Sequence, residues 1–425
     1  MKKINTSPIS GMQELLPDTQ LIFNNLKNNI AEVYHKHGFL NIETPTIDRC
    51  EILLAKAGGD TEKQIYKVVK TAESSEDADQ ALRFDHTVPL ARYVVEHEND
   101  LTFPFKVSQI GRNFRGERPQ KGRFREFYQC DVDVIGRGSL PIYYDADVIS
   151  TLIDTYNHLN LKTTVIARVS NRKIITGALM ALGVNDKSED IYSIIDHAEK
   201  VAPEQTEKAF EEIGLSKNET EKILGLINIC DKRAGAIEKI EKLGLENDIL
   251  SEGIDEISQV TKILEDEGLE EFYNIDLKIV RGLDYYTGTV FEFALKGCSG
   301  VGSVGGGGRY ENLAGYFTEQ KLPGVGGSIG LSRLFYVLIE NDLLDCQVEK
   351  PIEVAIIPIS DNEIEYSLKV AKEMREEGKS TVIVPTGRKF GDRMSYAAKI
   401  AKSAIVIGEN EVKADRYEIK IFKDI

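Results

Sequence analysis

The sequence lacks any run of about eighteen consecutive apolar residues, the length a membrane-crossing helix needs, so no membrane partner is expected. Residues 1–17 contain early lysines but no apolar stretch and no small-residue cleavage site, which argues against a signal peptide. Cysteine is sparse: Cys50, Cys130, Cys230, Cys298 and Cys346 are scattered, odd in number and never spaced Cys-x-x-Cys. That spacing excludes a disulfide framework and a zinc knuckle, and fits thiols in a reducing, cytoplasmic setting. The histidines (His35, His37, His86, His97, His158 and His197) form no metal spacing beyond a weak His-x-His, so no metal site is expected. Positive charge is in deficit, with 53 Lys and Arg against 69 Asp and Glu, a net of −16. A chain that wraps nucleic acid nonspecifically would show the opposite balance.

The deficit is local. Residues 201–270 hold 8 basic and 18 acidic side chains, a net of −10, whereas residues 351–425 hold 13 of each and are neutral. A nucleic-acid partner therefore stays open outside the acidic block. A length of 425 residues suggests two or three domains with a substantial core, and 41% hydrophobic residues exclude disorder as the bulk state.

Periodicity divides the chain. A helix is expected from Asp18 to His37, closed by Gly38, and a strand from Phe39 to Ile47 interrupted by Pro45. Phe105 to Ile110 and Phe124 to Ile135 read as a hairpin with a long cationic tip. Residues 186–270 read as an all-helical acidic module. Leu277 to Val280 and Thr289 to Leu295 read as strands, followed by glycine-dense segments at 300–308 and 324–330. Residues 346–425 read as a small βαβαβ domain with a mostly parallel sheet.

The hairpin tip, Arg112-Asn-Phe-Arg115-Gly-Glu-Arg118-Pro-Gln-Lys121-Gly-Arg123-Phe-Arg125, is the most unusual stretch. Arginine forks match phosphate oxygens, so it reads either as a polyphosphate clamp or as a solvated charged loop. Phe127, Tyr128 and Gln129 follow at the strand mouth, where an aromatic can stack on a base and an amide can orient a polar ligand. Asp131 and Asp133 share one strand face and should meet ligand or solvent, because unpaired burial is costly. A second group, Arg281-Gly-Leu-Asp-Tyr285-Tyr286-Thr-Gly288, reads as a polar pocket with an aromatic wall or as ordinary core and rim. The glycines before Arg309 and Tyr310 lack phosphate-loop spacing, and those from Gly324 to Gly330 lack dinucleotide spacing. They read instead as close backbone approach to a ligand, with Arg333 either surface or a second phosphate clamp.

In this order the groups resemble the histidyl-tRNA synthetases, a family of class II aminoacyl-tRNA synthetases. Gly38 to Pro45 resembles motif 1, Phe114 to Gln129 motif 2, and Gly326 to Leu334 motif 3. Arg281-Gly-Leu-Asp-Tyr-Tyr-Thr-Gly and Gly307-Gly-Arg-Tyr310 resemble the segments particular to the histidine enzymes. The resemblance implies an α+β fold: an antiparallel-sheet catalytic core (1–185 and 271–345), a helical insertion (186–270) and a C-terminal α/β anticodon-binding-like domain (346–425).

It also implies a reaction. Histidine and ATP, the latter as substrate with Mg2+ and with no tightly bound cofactor, give histidyl-adenylate, and histidine then passes to the terminal adenosine of histidine tRNA. Arg115 would hold the α-phosphate, Arg333 the far phosphates and Arg281 a second α-phosphate contact. Glu117 and Arg123 would shape the ATP and acceptor-end side of the loop, and Phe127 would stack on adenine. Asp85, Thr87 and Gln129 would hold the α-ammonium. Asp133 and Tyr286 would address the imidazole, with Tyr285 nearby and Tyr310 on the pocket wall.

Motif 1 implies a homodimer. Lys232 and Arg233 in the insertion, and Arg388, Lys389 and Arg393 in the tail, stand as either tRNA contacts or surface charge. The sequence departs from many family members in having Asp85 and Asp133 where glutamate is common, and Ser332 before Arg333. The alternative reading is a non-charging paralogue that senses histidine as a regulatory subunit of ATP phosphoribosyltransferase. Such paralogues erode the phosphate-binding arginines that are retained here.

Overall fold

The computed structural model describes residues 4–55, 62–72, 78–199, 201–280, 286–298, 300–344 and 350–422. The chain forms two compact units, residues 1–13 with 27–345 and residues 14–26 with 346–425. The architecture is α+β: a mixed-sheet core with inserted helices, and a separate C-terminal α/β unit.

A nine-stranded sheet organises the first unit. In chain order its strands are β1 (Leu40–Asn41), β2 (Phe105–Phe114), β3 (Glu126–Ile135), β4 (Val165–Asn171), β5 (Cys230–Asp231), β6 (Tyr273–Asp276), β7 (Tyr286–Leu295), β8 (Gly305–Tyr310) and β9 (Gly324–Ile329). They lie side by side as β1-β2-β3-β9-β8-β7-β4-β6-β5. The centre is antiparallel, and the parallel pairs are β1 with β2 and β4 with β6.

The hairpin expected from the sequence is present with longer arms. β2 and β3 pair from Phe105↔Ile135 to Phe114↔Glu126, so the connecting loop is residues 115–125. The glycines of β8 and β9 leave room for side chains of neighbouring strands. A Cβ on Gly326 would collide with the Asp133 carboxylate, and one on Gly324 with the Tyr310 ring.

Helices α1 (Pro17–Lys36), α2 (Thr87–Glu96), α3 (Tyr143–Asn157) and α4 (Arg172–Leu182) come before the insertion. Val148, Ile149, Leu152, Ile153 and Tyr156 recur at helical spacing on α3 and are buried. The insertion carries α5 (Ser188–His197), α6 (Pro203–Glu212), α7 (Lys217–Ile227), α8 (Arg233–Lys242) and α9 (Asp248–Asp266). A capping box starts α7: the Ser216 N–H donates to Glu219 Oε2 at 2.6 Å, and the Glu219 N–H donates to Ser216 Oγ at 3.4 Å.

Three expectations need correction. Residues 186–270 are not purely helical, because β5 lies among them and pairs with β6. The strand expected at 277–280 lies one step earlier, at β6. Asp276 ends it by accepting the Lys278 N–H at 3.1 Å, a turn that competes with further pairing. The strand expected over 39–47 is only β1, and Ile47–Arg49 pairs with Gln80–Leu82 in a separate three-stranded sheet.

The second unit holds β10 (Ile352–Pro358), β11 (Thr381–Ile383), β12 (Ala401–Ile407) and β13 (Lys420–Ile421), ordered β11-β10-β12-β13. The first three are parallel and β13 is antiparallel. Val354 and Ile356 pack in one core cluster with Val370, Ala371 and Met374, whereas Ala355 and Ile357 pack in another with Ala397 and Ala401. A strand covered on both faces explains the unbroken apolar run at 354–358.

Candidate active site

One cavity of about 430 Å3 opens on the β3-β9-β8-β7 face of the first unit. All the candidate residues for histidine and ATP that the structure describes border it: Asp85, Thr87, Arg115, Glu117, Arg123, Phe127, Gln129, Asp133, Tyr286, Tyr310 and Arg333. Arg281 and Tyr285 lie outside the described residues.

The cationic side of the cavity comes from the loop and from α10 (Leu331–Glu340), the helix that follows β9. Arg115 donates from Nε to the Phe84 carbonyl at 3.3 Å, with its guanidinium 4.3 Å from the Phe84 ring centre and 5.0 Å from that of Phe127. Aromatic faces position a guanidinium without neutralising it. Phe127, expected to stack on a base, therefore also shelves Arg115.

Arg123 reaches to 3.6 Å from Glu117. Arg333 donates from Nη2 to the Val301 carbonyl at 2.6 Å, and its buried Nε has no hydrogen-bond partner among the described residues. Burial, and then the charge of Arg123, push the Arg333 guanidinium below its ordinary pKa. A buried cation repelled by another cation is relieved by an anion, so the chemistry of this end suits an anionic group.

The N-terminal segment braces the loop. The Gly11 carbonyl accepts the Arg125 N–H at 2.8 Å and the Ser10 carbonyl accepts from Arg125 Nη1 at 3.3 Å. Arg125 Nε in turn donates to the Glu117 carbonyl at 3.1 Å. Gly11 has φ +85°, and a Cβ there would lie 2.8 Å from Pro119 Cγ. Only glycine fits that backbone and that gap. Ser332 accepts the Tyr128 N–H on its Oγ at 2.9 Å and so ties β3 to α10.

The acidic side is a cluster of Asp85, Asp131 and Asp133. Asp85 accepts the Val88 N–H at 3.0 Å at the start of α2, and burial pushes its carboxyl up while Arg115 pulls it down. Burial and the neighbouring Asp131 push Asp133 up to about 8, against the lowering effect of the Tyr310 hydroxyl, which donates to it at 2.9 Å. The phenol bonded to Asp133 is thus Tyr310. Tyr286 sits directly across from Tyr310 in the β7–β8 pair.

Several bordering residues were absent from the sequence-based candidates. Glu292 lines the cavity between the buried Phe291 and Phe293. A lone carboxylate in an apolar strand was the available signal. Ser328 faces Asp131 across β9 and β3, a pairing that no local pattern reveals.

Among the distal candidates, Arg393 is corrected. It is buried, donating from its guanidinium to the carbonyls of Pro358 and Ile359, so it fastens the C-terminal unit internally. Arg388 and Lys389 are exposed. Lys232 and Arg233 gather no basic face: Lys232 donates to the Glu270 and Tyr273 carbonyls, and Arg233 to Glu265 at 2.9 Å. No helix among the described residues is long and apolar enough to cross a membrane.

Comparison with known proteins was made on this geometry. The family profile described as "Histidyl-tRNA synthetase" matches residues 11–334, and one described as "Anticodon binding domain" matches 353–424. The histidine–tRNA ligase of Clostridium tetani is 44% identical, with 99% of this chain and 95% of that protein covered. The corresponding ligase of Clostridium acetobutylicum is 42% identical over 98% and 96%. The crystal structure of histidyl-tRNA synthetase from a Nostoc species superposes with a TM-score of 0.87 at 34% identity, covering 99% of this chain and 95% of that one. A Bacillus halodurans structure titled as an ATP phosphoribosyltransferase regulatory subunit/histidyl-tRNA synthetase shares the fold, with a TM-score of 0.80 at 20% identity over 96% of this chain and 100% of that one. The chain belongs to the histidyl-tRNA synthetase family.

Proposed function

We infer that the protein is a histidine–tRNA ligase, and that the cavity described above is where it activates histidine. The carrying observation is that a single cavity holds an arginine cluster and a carboxylate cluster, with Arg115 close enough to Asp85 to pull its carboxyl down. That layout suits a zwitterionic amino acid lying against a polyphosphate.

In the first step the histidine carboxylate attacks the α-phosphorus of ATP, a phosphorus–oxygen bond forms, and pyrophosphate leaves with its bonding pair. Magnesium enters as the ATP complex. Arg115 holds the α-phosphate, Arg123 and Arg333 the departing phosphates, and Phe127 flanks the adenine. Glu117 sets Arg123. Arg281, from the segment particular to the family, adds the second cation at the α-phosphate. No enzyme nucleophile is needed, so catalysis is positioning plus charge stabilisation.

Asp85, Thr87 and Gln129 receive the α-ammonium. Asp133, Tyr310 and Tyr286, with Tyr285 nearby, read the imidazole. An apolar analogue would leave their buried polar groups unpaired and would be rejected. In the second step a hydroxyl of the terminal adenosine attacks the acyl carbon, histidine is transferred and AMP leaves. The domain division at 1–185, 186–270, 271–345 and 346–425, a homodimer, a cytosolic setting and contact of Arg388 and Lys389 with tRNA belong to the same reading.

Retention of Arg115 and Arg333, together with the anticodon-binding match, favours the ligase over a silent histidine sensor. Steady-state charging of histidine tRNA with labelled histidine tests this. Stable charging by the full chain is expected. Histidine binding without charging or adenylate formation would turn the reading to the regulatory paralogue.

A further inference from the structure

A row of hydrogen bonds runs from β2 to the start of α2 along the carboxylate side of the cavity, which Gln129, Asp131 and Ser328 line. Asn113 Nδ2 donates to Gln129 Oε1 at 2.9 Å, and Gln129 Nε2 donates to Ser328 Oγ at 2.8 Å. The Ser328 hydroxyl donates to one oxygen of Asp131, and His86 Nδ1 lies 2.9 Å from the other. Sheet register builds the row, since Ser328 is the β9 residue directly opposite Asp131. Asn113, His86 and Asp131 are 0%, 1% and 4% exposed, so the two ends of the row are buried, while Gln129 and Ser328 are half-buried and, with Asp131, border the cavity.

The direction of every bond follows from Asp131, because a carboxylate only accepts. The single hydroxyl hydrogen of Ser328 is committed to it, so Ser328 Oγ can meet Gln129 only as an acceptor. The –NH2 of Gln129 must then face Ser328 and its carbonyl must face Asn113. His86 likewise holds its Nδ1 proton toward Asp131. A glutamine amide has two flips of nearly equal shape and opposite hydrogen bonding. This row selects one of them.

We propose that Asp131, Ser328 and His86 are positioning residues that lock the amide flip of Gln129, so that its remaining N–H and its remaining carbonyl lone pair stand in fixed places for the amino acid. The proposal rests on the reading of this cavity as the histidine site. The His86 side chain does not border the cavity and meets the row at Asp131, while its chain neighbours Asp85 and Thr87 do border it. An Asp131→Asn change would let Ser328 and Gln129 reverse.

The test is pyrophosphate exchange with histidine and ATP titrated separately, on Ser328→Ala, Ser328→Thr, His86→Leu and His86→Asn. Loss of one link should raise the KM for histidine about five- to tenfold, with the KM for ATP within about twofold. Ser328→Thr keeps the hydroxyl, and His86→Asn can place an N–H near the Nδ1 position, so both should recover most of the loss. A purely structural role would instead lower the melting temperature and move both KM values together, and the hydroxyl-bearing variant would give no selective rescue. An unchanged histidine KM in Ser328→Ala would overturn the proposal outright. Absence of histidine-dependent exchange in the unaltered chain would fail the ligase reading, and calorimetric titration of histidine into the same variants would then test the row by itself.

Discussion

In the loop joining β2 and β3, Arg125 gives its guanidinium to backbone carbonyls and Arg115 lies over two aromatic rings, while Arg123 stands 3.6 Å from the Glu117 carboxylate. In residues 201–270 the cations are spent differently. Lys208, Lys217, Arg233, Lys239, Lys242 and Lys262 each pair with a carboxylate of the same stretch, and Lys222 and Lys232 are taken by backbone carbonyls. Those eight cations face 18 carboxylates in the same stretch.

The carboxylates differ in the same way. Lys239 holds Asp231 low and Arg233 holds Glu265 low, whereas burial pushes Asp85 and Asp133 up. A cation positioned by neutral groups keeps its field available to a ligand, and a cation beside a carboxylate largely loses it. The count of charges says little about which region binds an anion; the partners decide.

The comparison can be broken most severely at Arg333. Arg333→Ala should cut the rate of pyrophosphate exchange by about 100- to 1000-fold, because a preorganised, buried cation at the phosphate end is lost. Equal damage from Lys262→Ala in the insertion would erase the distinction between the regions.

Asp133 gives the next largest effect. With its carboxyl pushed up to about 8 by burial and Asp131, it should favour the protonated form at neutral pH until histidine binds. Histidine binding that needs the carboxylate as acceptor should release about one proton per site, read by calorimetry in buffers of different ionisation heat. The folded state also holds this proton where the unfolded state, with the ordinary aspartate value of 3.8, does not. Its contribution to stability therefore falls as pH rises from about 4 through about 8, and Asp133→Asn should flatten that slope. A steeper slope in the variant would contradict the assignment.

A subtler probe is Gly11→Val. It should dislodge Arg125 and raise the KM for ATP about tenfold while leaving the histidine KM within about twofold. Smallest of all, Lys217→Glu should change tRNA charging by less than about twofold and stability by no more than about 0.5 kcal/mol, since its partner Glu221 sits 3.9 Å away on an exposed helix face. A large loss of charging there would show that the insertion's cations act on RNA after all.

Much of the fold was legible from local pattern. The hairpin, the glycine-rich strands and the βαβαβ tail follow from turn residues and strand or helix period, and the loop arginines of the cavity were visible as a density of one residue type, whereas Arg333 stood alone in the sequence. What local pattern does not carry is strand order. Asp133 and Tyr310 meet because β9 lies between β3 and β8, and Ser328 meets Asp131 for the same reason. Burial of Arg393 depends on carbonyls 34 and 35 positions away in the chain. The roles of Lys232 and Arg233 likewise depend on residues more than thirty positions distant. Arg281 and Tyr285 remain readings of the sequence.

The most direct test of the account is exchange of labelled pyrophosphate into ATP across a panel of amino acids, using the full chain. Exchange driven by histidine, and by no apolar amino acid of similar size, is the predicted result. Histidine that binds without driving exchange, or an apolar amino acid that drives it equally well, would contradict the assignment of the arginine and carboxylate clusters to one reaction.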